Sequence, residues 1–315
     1  MKDLKNLKVD ELKSLAFDIR KQIISTVSKN GGHLSSNLGI VDLTIAIHKI
    51  FDTPNDKVIF DVSHQTYAHK ILTGREEEFN SLRKFGGISG FTNPNESAYD
   101  AFSIGHSSTA ISLAIGQAIL NKHNGIDRNV IAVVGDGSAT NGLSLEALNY
   151  LGAHPELKVI VIINDNEMSI SKNVGAVAKT FNKIRIKRNK SFVYKIFPKF
   201  MHGFFDKIKA GLKGAVYKKN IFDSFNIKYF PGIDGHNFKE LEKYLSFAKK
   251  YPKSIILHVK TKKGKGYSFA EEDQLGIWHN VGPFNVETGE IYSESSNDSV
   301  GKYCSNCFST SSWRN

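Results

Sequence analysis

The 315-residue sequence has few cysteines and prolines and no long apolar run. Its seven prolines exclude a collagen-like or low-complexity chain, and no apolar stretch reaches the roughly 18 to 20 residues that a membrane-spanning helix needs. The first residues intersperse acids with bases and lack the apolar segment of a secretory signal. Cys304 and Cys307 both lie near the end of the sequence, so disulfides cannot hold the body of the chain together. We therefore expect a globular, cytoplasmic protein.

The excess positive charge, +11 overall, is confined to one segment. Residues 179–220 contain thirteen Lys or Arg and one acid, Asp206, so this basic segment carries +12 and the rest of the chain carries −1. Aromatic and aliphatic residues alternate with the bases, a pattern typical of short basic amphipathic helices. We expect a mobile insertion, and the absence of a known binding motif argues against nucleic acid or membrane as its partner.

The apolar pattern predicts alternating strands and helices. Continuous β-branched runs at 129–135 and 158–163 are typical of strands covered on both faces of a parallel sheet. A helix at 141–153 separates them, which predicts a right-handed strand-helix-strand unit. Further predicted elements are helices beginning at Leu12 and at Leu43, strands at 57–62, 227–230 and 254–260, and a helix at 237–249. The predicted fold is therefore α/β, with a mostly parallel sheet and helices on both faces.

The run Val134-Gly-Asp-Gly-Ser places an aspartate, Asp136, between two glycines at the end of a predicted buried strand. Glycines let the backbone approach a ligand closely, and free N–H groups at the start of a helix favour phosphate oxygens. Asp136 could then hold a divalent cation that bridges those oxygens. A Gly-Asp-Gly turn alone is weak support, because tight turns after strands are often built this way.

A second polar turn, Asn164-Asp-Asn-Glu-Met-Ser, begins where the next predicted parallel strand ends. One crossover helix and one strand separate Asp136 from Asn166, so the two side chains should emerge side by side at the carboxyl edge of the sheet, where ligands bind in open α/β folds. Carboxylate, amide and main-chain oxygens are the ligands that Mg²⁺ prefers. The paired turns predict a site for a magnesium-bound diphosphate.

This pairing resembles the signature of thiamine-diphosphate enzymes, and longer motifs resemble 1-deoxy-D-xylulose-5-phosphate synthases in particular. They include Gly-His-Leu-Ser-Ser-Asn-Leu-Gly at 32–39 and Trp-His-Asn-Val-Gly-Pro-Phe at 278–284. The other matching runs are 61–75, 86–91, 96–110, 164–175, 232–236 and 261–267. Ser63 stands where the family usually has glycine before a His-Gln pair. The resemblance runs in order from about residue 10 to 290 and is weak only in the basic segment.

The resemblance implies a thiamine-diphosphate-binding domain at 1–290, with the basic insertion at 179–220 inside it. It assigns Mg²⁺ to Asp136, the side chain of Asn166 and the carbonyl of Met168. Cofactor contacts are implied at His64, Gly105, His106, Ser107, Gly137, Ser138, Asn166 and Tyr267. His33 and His279 match histidines that face the reacting carbon and the acceptor, a role that suits imidazole because protons move there near neutral pH.

The reaction implied by the resemblance joins pyruvate, after loss of CO₂, to D-glyceraldehyde 3-phosphate, giving 1-deoxy-D-xylulose 5-phosphate for isoprenoid, thiamine and pyridoxal synthesis. Family members are about twice as long, and their second half carries the pyrimidine-binding domain with the glutamate that activates the cofactor. No residue of 1–315 matches that glutamate by motif. We therefore expect the chain to need a second polypeptide; a homodimer is compatible with the sequence.

Residues 291–315 show no helix or strand periodicity and are expected to be a linker remnant or disordered tail. Cys304 and Cys307 form a lone CxxC pair, which lacks the four ligands of a structural zinc site. A frameshift or premature stop is one interpretation of this ending, and a true split subunit is another. Two further hypotheses stay open: the first subunit of a two-chain transketolase, and a non-catalytic remnant that binds an acidic partner through the basic segment.

Overall fold

A computed structural model describes residues 4–166 and 221–292, with the side chains of residues 221 and 223 left out. The helices are α1 (Val9–Asn30), α2 (Ser35–Ile50), α3 (Tyr67–Lys70), α4 (Ala110–His123), α5 (Asp136–Ala139), α6 (Gly142–Ala153), α7 (Phe238–Lys250) and α8 (Ser268–Glu271). A π-helical turn at Ile71–Arg75 and 3₁₀ turns at Glu77–Ser81 and Ile221–Phe225 complete the helical segments. The strands are β1 (Lys57–Phe60), β2 (Val130–Gly135), β3 (Ile160–Asp165), β4 (Lys228–Asp234) and β5 (Ile255–Lys260).

The five strands form one parallel sheet in the order β1-β2-β3-β5-β4. Alternate residues of each strand face opposite sides, so the sheet takes part in two apolar clusters. Ile131, Val133 and Leu257 belong to the cluster that includes α1, α2 and α7. Val134 and Ile256 belong to the cluster that includes α4 and α6. The predicted parallel sheet with helices on both faces is confirmed.

Polar caps set where two of the helices begin. The side chain of Asn141 accepts a hydrogen bond from the amide of Leu143 at the start of α6, and Asn237 accepts one from the amide of Glu240 at the start of α7. Such caps satisfy amides that lack a partner within the helix. The short helix α5, which begins with Asp136, lies between β2 and this capped start of α6.

In the part of the chain that the structure describes, no helix is both long enough and apolar enough to cross a membrane. The basic segment at 179–220, Met168 and the tail at 293–315 lie outside the described residues, so the expectations for them stay predictions.

Candidate active site

Two adjacent strands bring the predicted metal ligands to the same edge of the sheet. β2 and β3 are parallel neighbours, and Gly135 pairs with Asn164 at their carboxyl ends. Asp136 follows Gly135 as the first residue of α5 and is 5% exposed, while Asn166 follows the last residue of β3. The strand register therefore places the two residues just after the carboxyl ends of neighbouring strands, at one edge of the sheet.

A hydrogen-bond network fixes the end of β3. The hydroxyl of Thr261 donates to Oδ1 of Asn164 at 2.7 Å, and the amide of Thr261 donates to the carbonyl of Asp165 at 2.9 Å. In addition, Nε2 of His258 lies 2.8 Å from Oδ2 of Asp165, and the hydroxyl of Tyr229 lies 2.6 Å from Nδ1 of the same histidine. Because these contacts hold Asn164 and Asp165, the turn that carries Asn166 has a defined position.

Asp61 holds the loop at 105–108 against this edge. Its carboxylate is 1% exposed and accepts hydrogen bonds from the amides of Ser108, Thr109 and Ala110 at 2.8, 2.9 and 3.1 Å. These amides lie at the start of α4, where a negative charge is favourable. The hydroxyl of Ser108 also donates to the carbonyl of Ser138 at 3.1 Å. The loop with Gly105, His106 and Ser107 is thereby joined to the helix that contains Asp136, Gly137 and Ser138.

An open cavity of about 450 Å³ lies beside this loop. Its lining includes Gly105 and His106 from the loop, Ser112 and Leu113 from the first turn of α4, and Leu143 from the first turn of α6. Two of the predicted cofactor contacts thus border space that a small molecule could enter.

Three histidines from distant parts of the chain form a cluster. The ring centroids of His33, His64 and His279 lie 4.9 Å (33 to 64), 5.5 Å (33 to 279) and 5.3 Å (64 to 279) apart. Phe91 lies edge-on to His33 at 5.9 Å. Within the described residues, Nδ1 of each histidine is buried without a hydrogen-bond partner. Since buried polar atoms are normally paired, this histidine cluster is suited to a ligand or ordered water.

The backbone around the cluster is held by a buried amide side chain. Nδ2 of Asn37, on α2, donates to the carbonyls of His33 and His64 at 2.7 and 2.8 Å, and its Oδ1 accepts the amide of Tyr67 at 2.8 Å. A bridge between Gly32 and Val281 brings the segment of His279 alongside. The cluster therefore rests on α2 and on backbone hydrogen bonds rather than on flexible loops alone.

The histidines are neutral at physiological pH. Burial, with the nearby charges of His279 and Arg83, lowers the pKa of His33 to about 4. Burial, with His33, His279 and Lys263, lowers the pKa of His64 to about 3. The pKa of His279 is also lowered, by burial and by Lys263. Neutral rings can both donate and accept a proton, whereas imidazolium ions can only donate.

We expect these pKa values to make the protein lose stability as the pH falls. In the unfolded chain the histidines titrate near their ordinary value of 6.5, so between pH 6.5 and about 4 the unfolded state binds more protons than the folded state. The free energy of unfolding, measured by urea denaturation, should therefore decrease as the pH is lowered through this window.

One variant separates the contribution of the histidines to this pH dependence of stability from the contribution of the acidic residues. His64→Gln removes one titrating ring and should lose less stability between pH 7 and 4.5 than the unaltered protein does. The surface variant His123→Gln should show the unaltered pH dependence, since His123 is exposed at the end of α4. Identical pH profiles for His64→Gln and the unaltered protein would contradict a neutral buried His64.

Lys263 is a functional candidate that the sequence interpretation missed, although it lies in the matched run at 261–267. Burial lowers the pKa of its ammonium group, while the negative charges of Asp273 and Asp136 act in the opposite direction. Its charge also acts on His64 and His279. Lys263 therefore interacts electrostatically with Asp136 and with two of the three histidines of the cluster.

Tyr267 lies in different surroundings from the other predicted contacts. Its ring packs against Trp278 and Phe284, and its hydroxyl donates to the carbonyl of Val286 at 3.1 Å. Trp278, one member of this aromatic cluster, directly precedes His279 in the chain. The cofactor contact predicted for Tyr267 stays a prediction, and its observed contacts indicate support of that segment.

A buried charge network fixes the loop that carries Phe91. Asp100 accepts hydrogen bonds from both terminal nitrogens of Arg75 at 2.7 and 2.8 Å, and lies 2.8 Å from Nε2 of His69. Its carboxylate also accepts the amide of Asn93 at 2.8 Å. Burial acts against the charge of Asp100, but these contacts hold its pKa far below its ordinary value. The segment at 91–100 is thereby tied to the turn after α3, beside His33.

The donor set fits a magnesium diphosphate in part. Among residues 4–166 and 221–292, no group of three or more His, Cys, Asp or Glu side chains could hold a metal ion. A metal beside Asp136 and Asn166 would depend on further oxygen atoms, from the diphosphate itself and from the carbonyl of Met168. Such a mixed oxygen set is the kind that Mg²⁺ binds together with phosphates.

Solved structures with a similar fold define the class of protein. The transketolase of Campylobacter jejuni matches with a TM-score of 0.64 at 20% sequence identity, over 87% of this chain and 41% of that one. The transketolase of Leishmania mexicana matches with a TM-score of 0.60 at 18% identity, over 87% and 39%. The chain therefore has the α/β thiamine-diphosphate-binding fold.

Sequence comparison narrows the class to one family. The 1-deoxy-D-xylulose-5-phosphate synthase family model matches residues 1–261. The enzyme of that name from Clostridium kluyveri is 49% identical over 305 residues, which is 94% of this chain and 49% of the relative. The one from Clostridium acetobutylicum is 48% identical over 301 residues, 93% and 48% respectively. The chain belongs to the 1-deoxy-D-xylulose-5-phosphate synthase family, and it spans about half the length of these relatives.

Proposed function

We propose that this chain forms the part of a 1-deoxy-D-xylulose-5-phosphate synthase that binds the diphosphate end of thiamine diphosphate through Mg²⁺. The observation that carries the proposal is the arrangement at one edge of the sheet. Asp136 and Asn166 follow the ends of neighbouring strands, the loop at 105–108 is joined to α5, and the positive charge of Lys263 interacts with Asp136. A diphosphate needs this combination of metal ligands, amide donors and a cation.

Bound thiamine diphosphate would supply the carbanion chemistry of the reaction. In the proposal, Asp136, Asn166 and the carbonyl of Met168 hold Mg²⁺. The loop at 105–108, Gly137, Ser138 and His64 orient the diphosphate end, and Lys263 offsets its negative charge. The neutral rings of His33 and His279 would hold and move protons for the carbonyl groups of the substrates.

We propose pyruvate and D-glyceraldehyde 3-phosphate as the substrates, with 1-deoxy-D-xylulose 5-phosphate and CO₂ as products, in isoprenoid and thiamine biosynthesis. The chain spans about half the length of its relatives, and we expect the residues that complete the site to lie in a region that matches the other half of those relatives. That region would be carried on a second polypeptide or on a longer form of the same chain, in the cytoplasm. A homodimer, which is compatible with the sequence, is part of the proposal.

Cofactor binding by the chain itself tests the first part of this proposal. We expect thiamine diphosphate with Mg²⁺ to raise the unfolding temperature, since a ligand at 100 times its Kd stabilises the folded state by about 2.7 kcal/mol. The matched controls are thiamine without phosphate and thiamine diphosphate with EDTA, neither of which should stabilise. Equal stabilisation in EDTA would contradict a metal-bridged diphosphate.

A second assay separates this reaction from that of a transketolase. The chain, combined with the carboxyl-terminal half of a relative such as the Clostridium kluyveri enzyme, is supplied either with pyruvate and glyceraldehyde 3-phosphate or with a ketose phosphate donor. We expect product from pyruvate. The 48 to 49% identity to synthases favours this outcome, whereas the transketolase structures, at 18 to 20% identity, support the fold alone. Turnover of the ketose phosphate alone would favour a transketolase.

A further inference from the structure

His236 connects the helical layer to the loop that carries Lys263. Its Nδ1 lies 2.6 Å from Oδ2 of Asp42 on α2, and its Nε2 accepts the backbone amide of Lys262 at 2.8 Å. His236 lies in the run at 232–236 that resembles the family, but the resemblance implies no role for this histidine. The three residues are far apart in sequence, so the contact is a tertiary one.

The partners of His236 determine which ring nitrogen carries its proton. A backbone N–H can only donate, so Nε2 must be an acceptor and carries no hydrogen. The proton of the neutral ring is therefore on Nδ1, where it donates to the carboxylate of Asp42. This use of both ring nitrogens aligns the imidazole with the amide of Lys262, since a rotated or flipped ring would lose both bonds.

Asp42 is itself fixed, so it can orient the histidine. Both terminal nitrogens of Arg20, on α1, donate to its carboxylate at 3.2 and 2.7 Å. Burial acts to raise the pKa of Asp42, but the hydrogen bonds from His236 and Arg20 outweigh it and hold the pKa below its ordinary value. The carboxylate therefore stays charged and keeps both partners.

The loop after β5 packs tightly against the start of α2, two residues from His33 of the histidine cluster. A Cβ at Gly39 on α2 would lie 2.9 Å from the carbonyl oxygen of Lys262, so the backbones are in direct contact. The amide of Gly264 donates to the carbonyl of Ser35 at 2.8 Å, two residues from His33. A shift of this loop would move the ammonium group of Lys263 relative to Asp136 and His64.

We propose that His236 is a positioning residue, which holds the loop at 261–267 and thereby keeps Lys263 within electrostatic range of Asp136 and the histidine cluster. The inference rests on the proposed diphosphate-binding function for its consequence, but the positioning itself is a property of the protein without ligand. The residue acts through the backbone amide of Lys262 and not by touching substrate.

Two variants separate the two hydrogen bonds. The amide group of Gln reaches about as far as Nε2 of histidine, so His236→Gln can still accept from Lys262. The shorter side chain of His236→Asn reaches about as far as Nδ1, so it can contact Asp42 but not Lys262. The control is His154→Gln, which changes a half-buried histidine that follows α6, outside the loop at 261–267.

The first measurement is amide hydrogen exchange in the ligand-free protein, followed at the amide of Lys262 and over residues 261–267. We expect exchange about tenfold faster in His236→Asn, the effect of losing one net hydrogen bond, a smaller increase in His236→Gln, and none in the control. Exchange in α4 should stay unchanged in all three variants. Equal exchange at Lys262 in His236→Asn and the unaltered protein would overturn the positioning role, whether or not the chain binds a cofactor.

The second measurement is the affinity for thiamine diphosphate with Mg²⁺, by calorimetry. We expect a weakening of about tenfold or more in His236→Asn, as is usual when the partner that orients a ligating group is lost, and partial recovery in His236→Gln. A lower unfolding temperature with unchanged affinity in His236→Asn would reduce the residue to a structural role and overturn the inference. If the unaltered protein binds no cofactor, the proposed function is contradicted. The hydrogen-exchange measurement at Lys262 then decides whether His236 positions the loop.

Discussion

Asp136→Ala is expected to abolish magnesium-dependent binding of thiamine diphosphate while the fold survives. The carboxylate lies at the end of β2, beside the end of β3, and in the described chain no cluster of acids or histidines could take over a metal ion. Loss of a residue that merely supports a metal ligand already costs about 10- to 100-fold in affinity. Loss of the carboxylate itself should weaken binding by more than about 100-fold.

Calorimetric titration with Mg²⁺ and thiamine diphosphate measures this effect, and circular dichroism checks that the fold is retained. The matched control is Asp127→Ala, which removes an exposed carboxylate in the loop before β2 and should bind as the unaltered protein does. Asp136→Asn keeps the size of the side chain and removes its charge, so it should also bind weakly. Unchanged affinity in Asp136→Ala would remove the metal assignment.

The buried strands were predictable from sequence because their surroundings are uniform. β2, β3 and β5 are covered on both faces, so they require continuous β-branched or aliphatic runs, which are visible in a single sequence. Helix α4 is not evident from the sequence, because its apolar residues have mixed surroundings. Ile119 and Leu120 are exposed on it while Ile111 and Ile115 are buried, so its apolar residues do not mark one face and the helical period is weak.

The candidate site was predictable to the extent that it depends on strand order. Asp136 and Asn166 follow successive buried strands, and the rules for parallel sheets then place them at one edge. The histidine cluster depends on contacts between residues up to about 250 positions apart, which no local pattern encodes. His33, His64 and His279 could be named only through family resemblance. The roles of Lys263 and His236 required the tertiary structure, since neither residue differs in local pattern from a surface lysine or histidine.

Asp61→Ala is expected to cause a large loss of stability, because this carboxylate replaces a missing cap. Thr109 stands at the start of α4 and its side chain makes no capping hydrogen bond. The carboxylate of Asp61, from the end of β1, instead accepts the amides of Ser108, Thr109 and Ala110. Alanine would leave three largely buried donors without an acceptor. Since each unpaired donor costs about 1 to 3 kcal/mol, the free energy of unfolding should fall by at least about 3 kcal/mol.

Urea denaturation of two variants and a control tests this prediction. Asp61→Asn keeps an oxygen at the position of Oδ1, which accepts from Thr109 and Ala110. At the position of Oδ2 it has an NH₂ group, which cannot accept the hydrogen bond from the amide of Ser108. Its loss of stability should be intermediate, and it remains measurable if Asp61→Ala does not fold. Asp18→Ala, which changes an exposed acid on α1, should have little effect. Because Asp61 also fixes the loop at 105–108, Asp61→Asn should weaken cofactor binding, whereas Asp18→Ala should not. Equal stability of the three variants would mean that the start of α4 does not depend on this buried carboxylate.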